Sequence, residues 1–276
     1  MKVGIVGLGL MGGSLGRALK KYNLAHARVG YDHNIAHQKE AIELDLVDEI
    51  ITLDELKKCD LIVLCIPVDA IIKFLPSLIG IGENTTIIDF GSTKELIVKN
   101  IPNEIKNNYI PAHPMTGTEK FGPSAAIDEL YEDKIIVLCD IDKCDEIHKN
   151  RAINVFKTMK MKLVFMDSHE HDIHACYISH LPHAISFALA NMVMNHEKPE
   201  HIISLAAGGF RSMSRIAKSS PDMWTDIFRQ NRVNMLESLE LYEKQIESIR
   251  KLIEDEKYDE IKEWMKKSNT LHDILD

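Results

Sequence analysis

His113, in the run Ala112-His113-Pro114-Met115-Thr116-Gly117-Thr118-Glu119-Lys120-Phe121-Gly122, is the side chain best suited to acid–base work. A neutral imidazole can take a hydroxyl proton near neutral pH while hydride leaves the same carbon. Alone, it reads equally well as a histidine packed in a loop before Pro114. Phe90-Gly91-Ser92-Thr93-Lys94 closes an apolar run. There Ser92 could hydrogen-bond a substrate hydroxyl or the His113 ring, and Ser92 or Thr93 could equally cap a helix starting near Lys94. If His113 is the base, kcat/KM should fall on acidification between about pH 5 and pH 8 as it protonates.

Two further clusters could recognise an anion. His169, His171, His174, His180 and His183 fall within fifteen positions. Cys176, His180 and His183 have the spacing to share a helical face, which raises a metal site, but no flanking cysteine and carboxylate pattern completes a ligand set. Pro182 should also kink the helix between the two histidines. His180 or His183 donating to a carboxylate or keto group is the better reading. In Gly208-Gly209-Phe210-Arg211-Ser212-Met213-Ser214-Arg215-Ile216-Ala217-Lys218, one helix would let Arg211, Arg215 and Lys218 converge on one carboxylate, for which the guanidinium fork is suited. The alternative is a solvated cationic face.

These groups need a frame, and the N-terminus indicates which. Gly7-Leu8-Gly9-Leu10-Met11-Gly12 follows a short apolar run and opens a helical pattern, the setting of a dinucleotide-binding loop. Gly7 permits the tight turn, Gly9 lets backbone approach a pyrophosphate, and Gly12 allows close packing of helix on strand. Asp32, at the end of the second apolar run, would accept the adenosine ribose hydroxyls and repel a 2′-phosphate, favouring NAD over NADP. His33 beside it could soften that preference, and a turn or cap role is the alternative for Asp32. Pro67, after the strand expected at Leu61–Ile66, is counted with the cofactor-binding residues.

Lys2–Gly7, Arg28–Asp32, Leu61–Ile66, Thr85–Phe90, Tyr109–His113, Lys134–Cys139 and Lys162–Asp167 read as strands alternating with helices, which predicts an α/β domain with a largely parallel sheet. From about Ser168 the pattern is helical. The expected division is therefore 1–167, a Rossmann-type domain, and 168–276, an all-helical domain. Ser220-Pro221-Asp222 is a helix start with Ser220 as N-cap. A long helix from about Asn231 to Glu256 aligns Leu236, Leu239, Ile246, Ile249 and Ile253 on one stripe, for an internal core or a dimer interface.

Composition narrows the partners. The 276 residues are 45% hydrophobic and 27% charged, enough for two domains, and the net charge of −9 with scattered Lys and Arg gives no footprint for nucleic acid. Five cysteines without a Cys-x-x-Cys pair fit a reduced compartment, so a cytoplasmic protein is expected. The glycine-rich N-terminus has no cleavage pattern of a secretory signal, and Leu61–Ile81, apolar enough to suggest a membrane span, is interrupted by Pro67, Asp69, Lys73 and Pro76. A buried strand followed by a helix explains it better, and no membrane partner is expected.

Taken together, Gly7–Ser14, Asp89–Lys94, His113–Gly122, Ser179-His180-Leu181-Pro182-His183, Gly209–Lys218 and Pro221-Asp222-Met223-Trp224 resemble the prephenate dehydrogenase (TyrA) family. The resemblance runs nearly end to end, and the elements around His113 and His183 are its most specific part. It implies a Rossmann domain with a helical dimerisation domain, hence a homodimer, and NAD-dependent oxidative decarboxylation of prephenate to 4-hydroxyphenylpyruvate in tyrosine biosynthesis. His113 would be the base and Ser92 would orient it and the ring hydroxyl. His183 would contact the substrate side chain, as a donor modestly favouring the keto acid, and Arg215 would hold a carboxylate; Ser179, His180, Arg211, Thr118 and Glu119 would complete the substrate site. Tyrosine would act as a feedback inhibitor at the active site, with Glu119 taking part, because the chain leaves no room for a regulatory or mutase domain. Arogenate, or both substrates, is the alternative. A β-hydroxyacid dehydrogenase would need a lysine in the long helix of the second domain, and none lies between Lys162 and Lys198. An NAD sensor would not need a base.

Overall fold

The structure is a computed structural model that describes residues 1–275. Eight strands, β1 (Lys2–Val6), β2 (Ala27–Tyr31), β3 (Glu49–Ile50), β4 (Leu61–Leu64), β5 (Thr86–Asp89), β6 (Tyr109–Pro114), β7 (Ile135–Cys139) and β8 (Lys162–Met166), form one sheet. Their order is β3-β2-β1-β4-β5-β6-β7-β8, parallel except where β6 meets β7. Seven of the eight coincide with the sequence reading. The two-residue β3 has no apolar run and gives no strand signal.

The strand order reverses between β1 and β4, so the loops after Val6 and Leu64 diverge and open a crevice at the carboxyl edge, where open α/β sheets bind ligands. Helices α1 (Leu10–Lys21), α2 (Ile35–Glu43), α3 (Val68–Phe74), α4 (Glu95–Lys99) and α5 (Glu146–Thr158) alternate with the strands. Two buried cores result. One packs Ile5, Leu15, Leu19, Ile88, Ile110, Leu138 and Phe156, and the other packs Val6, Ile62, Leu64, Ile71, Ile87 and Tyr109. The apolar segment from Leu61 is thus β4 followed by α3. Among the described residues no helix is long and apolar enough to cross a membrane.

After β8 come α6 (Ser168–Ala175), a π-helical turn (Cys176–His180), α7 (Leu181–His196), α8 (Gly208–Ser214) and α9 (Pro221–Gln230). Ser220 caps α9 as expected, its side chain accepting from the Met223 amide at 3.4 Å. Pro182, expected to kink a helix, instead follows the π-helical turn, where the wider turn absorbs its missing N–H.

The chain divides by compactness after Asn231. The helical stretch 168–231 stays with the sheet because polar side chains tie it there. Gln230 bonds Asp69 at 2.7 Å and Thr93 at 2.9 Å, and the Asp172 carboxylate accepts from the Lys94 amide at 2.7 Å. The second unit begins at Arg232 and contains α10 (Arg232–Glu254) and α11 (Tyr258–Asn269). On α10, Leu236, Ile246 and Ile253 are each at least half exposed.

Candidate active site

Gly7, with φ +88°, makes the turn out of β1, and a Cβ there would lie 2.7 Å from the Cys65 carbonyl oxygen. At Gly12 the Cβ would sit 1.8 Å from the Gly7 oxygen, so only glycine lets α1 start against that turn. Around Gly9 the nearest atom to such a Cβ is the Gly122 amide nitrogen at 3.8 Å, which leaves open space above the loop. No side chain caps the N-terminus of α1, and its amides face this space, ready for an anion. Leu8 and Leu10 bury their side chains in the core, so only their backbone can serve a ligand, and the Met11 carbonyl is taken by the Tyr131 hydroxyl at 2.6 Å.

The Asp32 carboxylate accepts from the Leu8 and Asn34 amides, both at 2.8 Å, so the turn role and a ribose role coexist in one side chain held at the end of β2. His33 and His37 lie 3.4 and 3.7 Å from its oxygens. Pro67 is exposed just before α3, at the crevice formed by the strand reversal. An open glycine loop, free amides and a fixed carboxylate at these three places fit NAD.

Beyond the crevice, the carboxyl ends of β5 and β6 are pinned together. Asp89 and Lys94, both wholly buried, form an ion pair, and Lys94 Nζ also donates to the Ala112 carbonyl at 2.6 Å. This fixes the backbone immediately before His113. The His113 ring is half-buried, and its Nδ1 lies 2.8 Å from His171 Nε2 on α6. His171 Nδ1 in turn lies 2.8 Å from Asp172 Oδ1. Burial, then the nearby His171, Lys94 and His180, hold His113 well below the ordinary histidine pKa. It is therefore a neutral imidazole across the physiological range. The acid limb expected between pH 5 and pH 8 consequently moves below the ordinary histidine range, which corrects that part of the sequence reading.

Ser92, half-buried in the loop after β5, does not take His113 Nδ1, which faces His171. Neither Ser92 nor Thr93 caps α4. Asp172 does so from α6, accepting from the Lys94 amide at 2.7 Å and the Glu95 amide at 2.9 Å. A long-range carboxylate outcompetes the local hydroxyls because its charge also complements the helix dipole. Thr93 bonds Gln230 instead.

His183 stacks on Trp224, ring centroids 3.6 Å apart, and its Nδ1 donates to the Ser179 carbonyl at 2.8 Å. Ser179 thus serves through its backbone. Burial lowers the His183 pKa, against the Ser179 bond and with help from the positive charge of Arg215. The neutral ring therefore presents Nε2 as an acceptor, the reverse of the donor role expected. His180, 1% exposed, places Nδ1 3.1 Å from the Asn231 amide and packs edge-on to Trp224. It supports the site from behind and is not a direct substrate contact, because burial leaves it neutral and enclosed.

The three cations do not share one helix. The α8 helix ends at Ser214, a 3₁₀ turn carries Arg215 and Lys218, and Arg211 Nε donates to the Ala206 carbonyl at 2.9 Å. Arg215 alone remains beside His183. Thr118 and Glu119 are exposed on the loop after β6, with the Thr118 hydroxyl accepting from the Lys120 amide at 3.2 Å. Sequence reasoning gave no role to Lys94, His171 or Asp172, although His171 lay in the histidine cluster. Trp224 had only its place in a motif, yet its Nε1 is buried without a partner among the described residues.

Residues 15–165 match the family described as prephenate dehydrogenase, nucleotide-binding domain, and residues 167–267 match prephenate dehydrogenase, dimerization domain. The chain is 30% identical to a prephenate dehydrogenase of Bacillus subtilis over 98% of this chain and 75% of that protein. It is also 30% identical to a cyclohexadienyl dehydrogenase of Zymomonas mobilis over 99% and 97% of the two chains. The crystal structure of prephenate dehydrogenase from Aquifex aeolicus in complex with hydroxyphenyl propionate and NAD+ superposes with a TM-score of 0.93, at 32% identity, covering 100% of this chain and 99% of that one. With both halves matched and the fold reproduced throughout, this chain belongs to the prephenate dehydrogenase family.

Proposed function

We propose that the chain catalyses the NAD-dependent oxidative decarboxylation of prephenate to 4-hydroxyphenylpyruvate. The observation that carries this reading is His113, a neutral imidazole fixed at the carboxyl end of β6, on the same edge of the sheet as a glycine loop that fits NAD. Bound NAD supplies the hydride acceptor. His113 takes the proton of the ring hydroxyl as hydride leaves the same carbon, the electron pair left by departing carbon dioxide completes the aromatic ring, and the proton on His113 returns to the phenolate oxygen so formed. Aromatisation drives the reaction, so the protein needs mainly a base, orientation and an anion clamp. Ser92 orients the hydroxyl, Arg215 holds a carboxylate, and His183 with Trp224 contacts the side chain. In this reading residues 168–276 hold the substrate and the dimer contact, and tyrosine competes at the same site near Glu119. The five free thiols suit a cytoplasmic setting.

One observation favours a second substrate. With Nδ1 committed to Ser179, neutral His183 offers an acceptor, which suits the ammonium of arogenate better than the keto oxygen of prephenate, which has no proton to donate. The test is NADH formation by the purified chain with NAD and either prephenate or arogenate. Turnover of prephenate is expected, and turnover of neither ends the proposal.

A further inference from the structure

The hydrogen bonds behind His113 determine which of its nitrogens is basic. A carboxylate can only accept, and Asp172 is held in that state: burial alone would raise its pKa, but the His171 bond and the Lys94 and Glu95 amides outweigh burial and lower it. His171 must therefore carry its proton on Nδ1, which faces Asp172 Oδ1 at 2.8 Å. Burial, outweighing Asp172, keeps His171 itself neutral. Its Nε2 is then a bare lone pair, and His113 Nδ1, 2.8 Å away, must be the donor. The remaining nitrogen of His113, Nε2, carries the lone pair.

We propose that His171 and Asp172 are positioning residues that fix the Nδ1-protonated tautomer of His113, leaving Nε2 as the base. This rests on the reading of His113 as the proton acceptor. The logic parallels that of catalytic triads, in which a buried carboxylate sets the tautomer of the basic imidazole, with a second imidazole interposed here. When His113 gains its proton, both of its nitrogens are donors, and the Nδ1 bond into the Asp172-terminated chain strengthens. That carboxylate offsets the cation Lys94 on the loop after β5 and the two rings, His171 and His180, that face His113 from the helical segment.

The test uses the full chain with three variants and one spectrum. His171→Met keeps bulk but removes the acceptor, and should lower kcat about tenfold or more with KM within about twofold, a part of the roughly 10²–10⁴ that a positioned base supplies. His171→Gln restores an acceptor toward His113 and a donor toward Asp172, and should recover kcat to within about threefold of the parent. Imidazole-nitrogen NMR of the isotope-labelled parent, with His113→Asn used for assignment, should report His113 protonated on Nδ1. Parental kcat in His171→Met, or a His113 protonated on Nε2, overturns the proposal. The spectrum decides even if His171→Met does not fold. Should His113→Asn itself keep parental kcat, the base reading falls; should it lose kcat while His171→Met does not, only the positioning role falls.

Discussion

His180→Gln should make the folded chain less sensitive to acid. Burial, assisted by His171 and His183 against the charge of Asp172, lowers the pKa of His180 from 6.5 to about 4. The unfolded chain binds a proton near pH 6.5 that the folded chain refuses until about pH 4. Unfolding takes up that proton throughout the window, so stability falls as pH falls through it and is fully lost near the lower value. At about 1.36 kcal/mol per unit, the loss from this one ring is roughly 2 kcal/mol between pH 7 and pH 5 and about 3 kcal/mol by pH 4. Urea unfolding of parent and variant at pH 7 and pH 5 gives the double difference. Subtraction removes the contributions of His113, His148, His171 and His183, whose pKa values are also lowered. A variant about 2 kcal/mol less pH-sensitive than the parent is expected. Equal sensitivity would refute the account of His180 as an enclosed, neutral support.

Gly12→Ala should abolish NAD binding by titration calorimetry, because the added methyl meets the Gly7 carbonyl at 1.8 Å and pushes α1 off the loop; binding at parental affinity would contradict this. Arg215→Gln should raise KM with little change in kcat, as expected for uniform binding of a carboxylate, and a loss confined to kcat would reassign it. The kcat/KM profile should be level from pH 8 down to about 6.5, with its acid limb displaced below the ordinary histidine range by the lowered His113 pKa. A limb centred on an ordinary histidine would count against a base whose pKa its surroundings lower. Placing Asp at Leu236 and Ile246, exposed on α10, should shift sedimentation from dimer to monomer. An unchanged dimer would put the interface elsewhere.

Much of the fold was legible because apolar runs and punctuation are local. The Gly7–Gly12 loop, Asp32 and Ser220-Pro221 each follow from the backbone requirement at their own position. What remained hidden is set by contacts between distant segments. Asp172 caps α4 from 77 residues away and displaces the local candidates Ser92 and Thr93. Arg211 looked like a partner of Arg215 only on an unbroken helix, which ends at Ser214. In sequence His183 is a candidate donor, because the bond that commits its Nδ1 to the Ser179 carbonyl is not visible there. Lys94 reads as an ordinary cation until β5 and β6 close around it.

The most direct measurement is a stoichiometric one on the purified chain with NAD and prephenate, comparing the parent with His113→Asn. The account predicts that the parent forms NADH and 4-hydroxyphenylpyruvate one for one. It also predicts that His113→Asn loses about 10²–10⁴ of kcat while KM barely changes. Parental kcat in His113→Asn would contradict it.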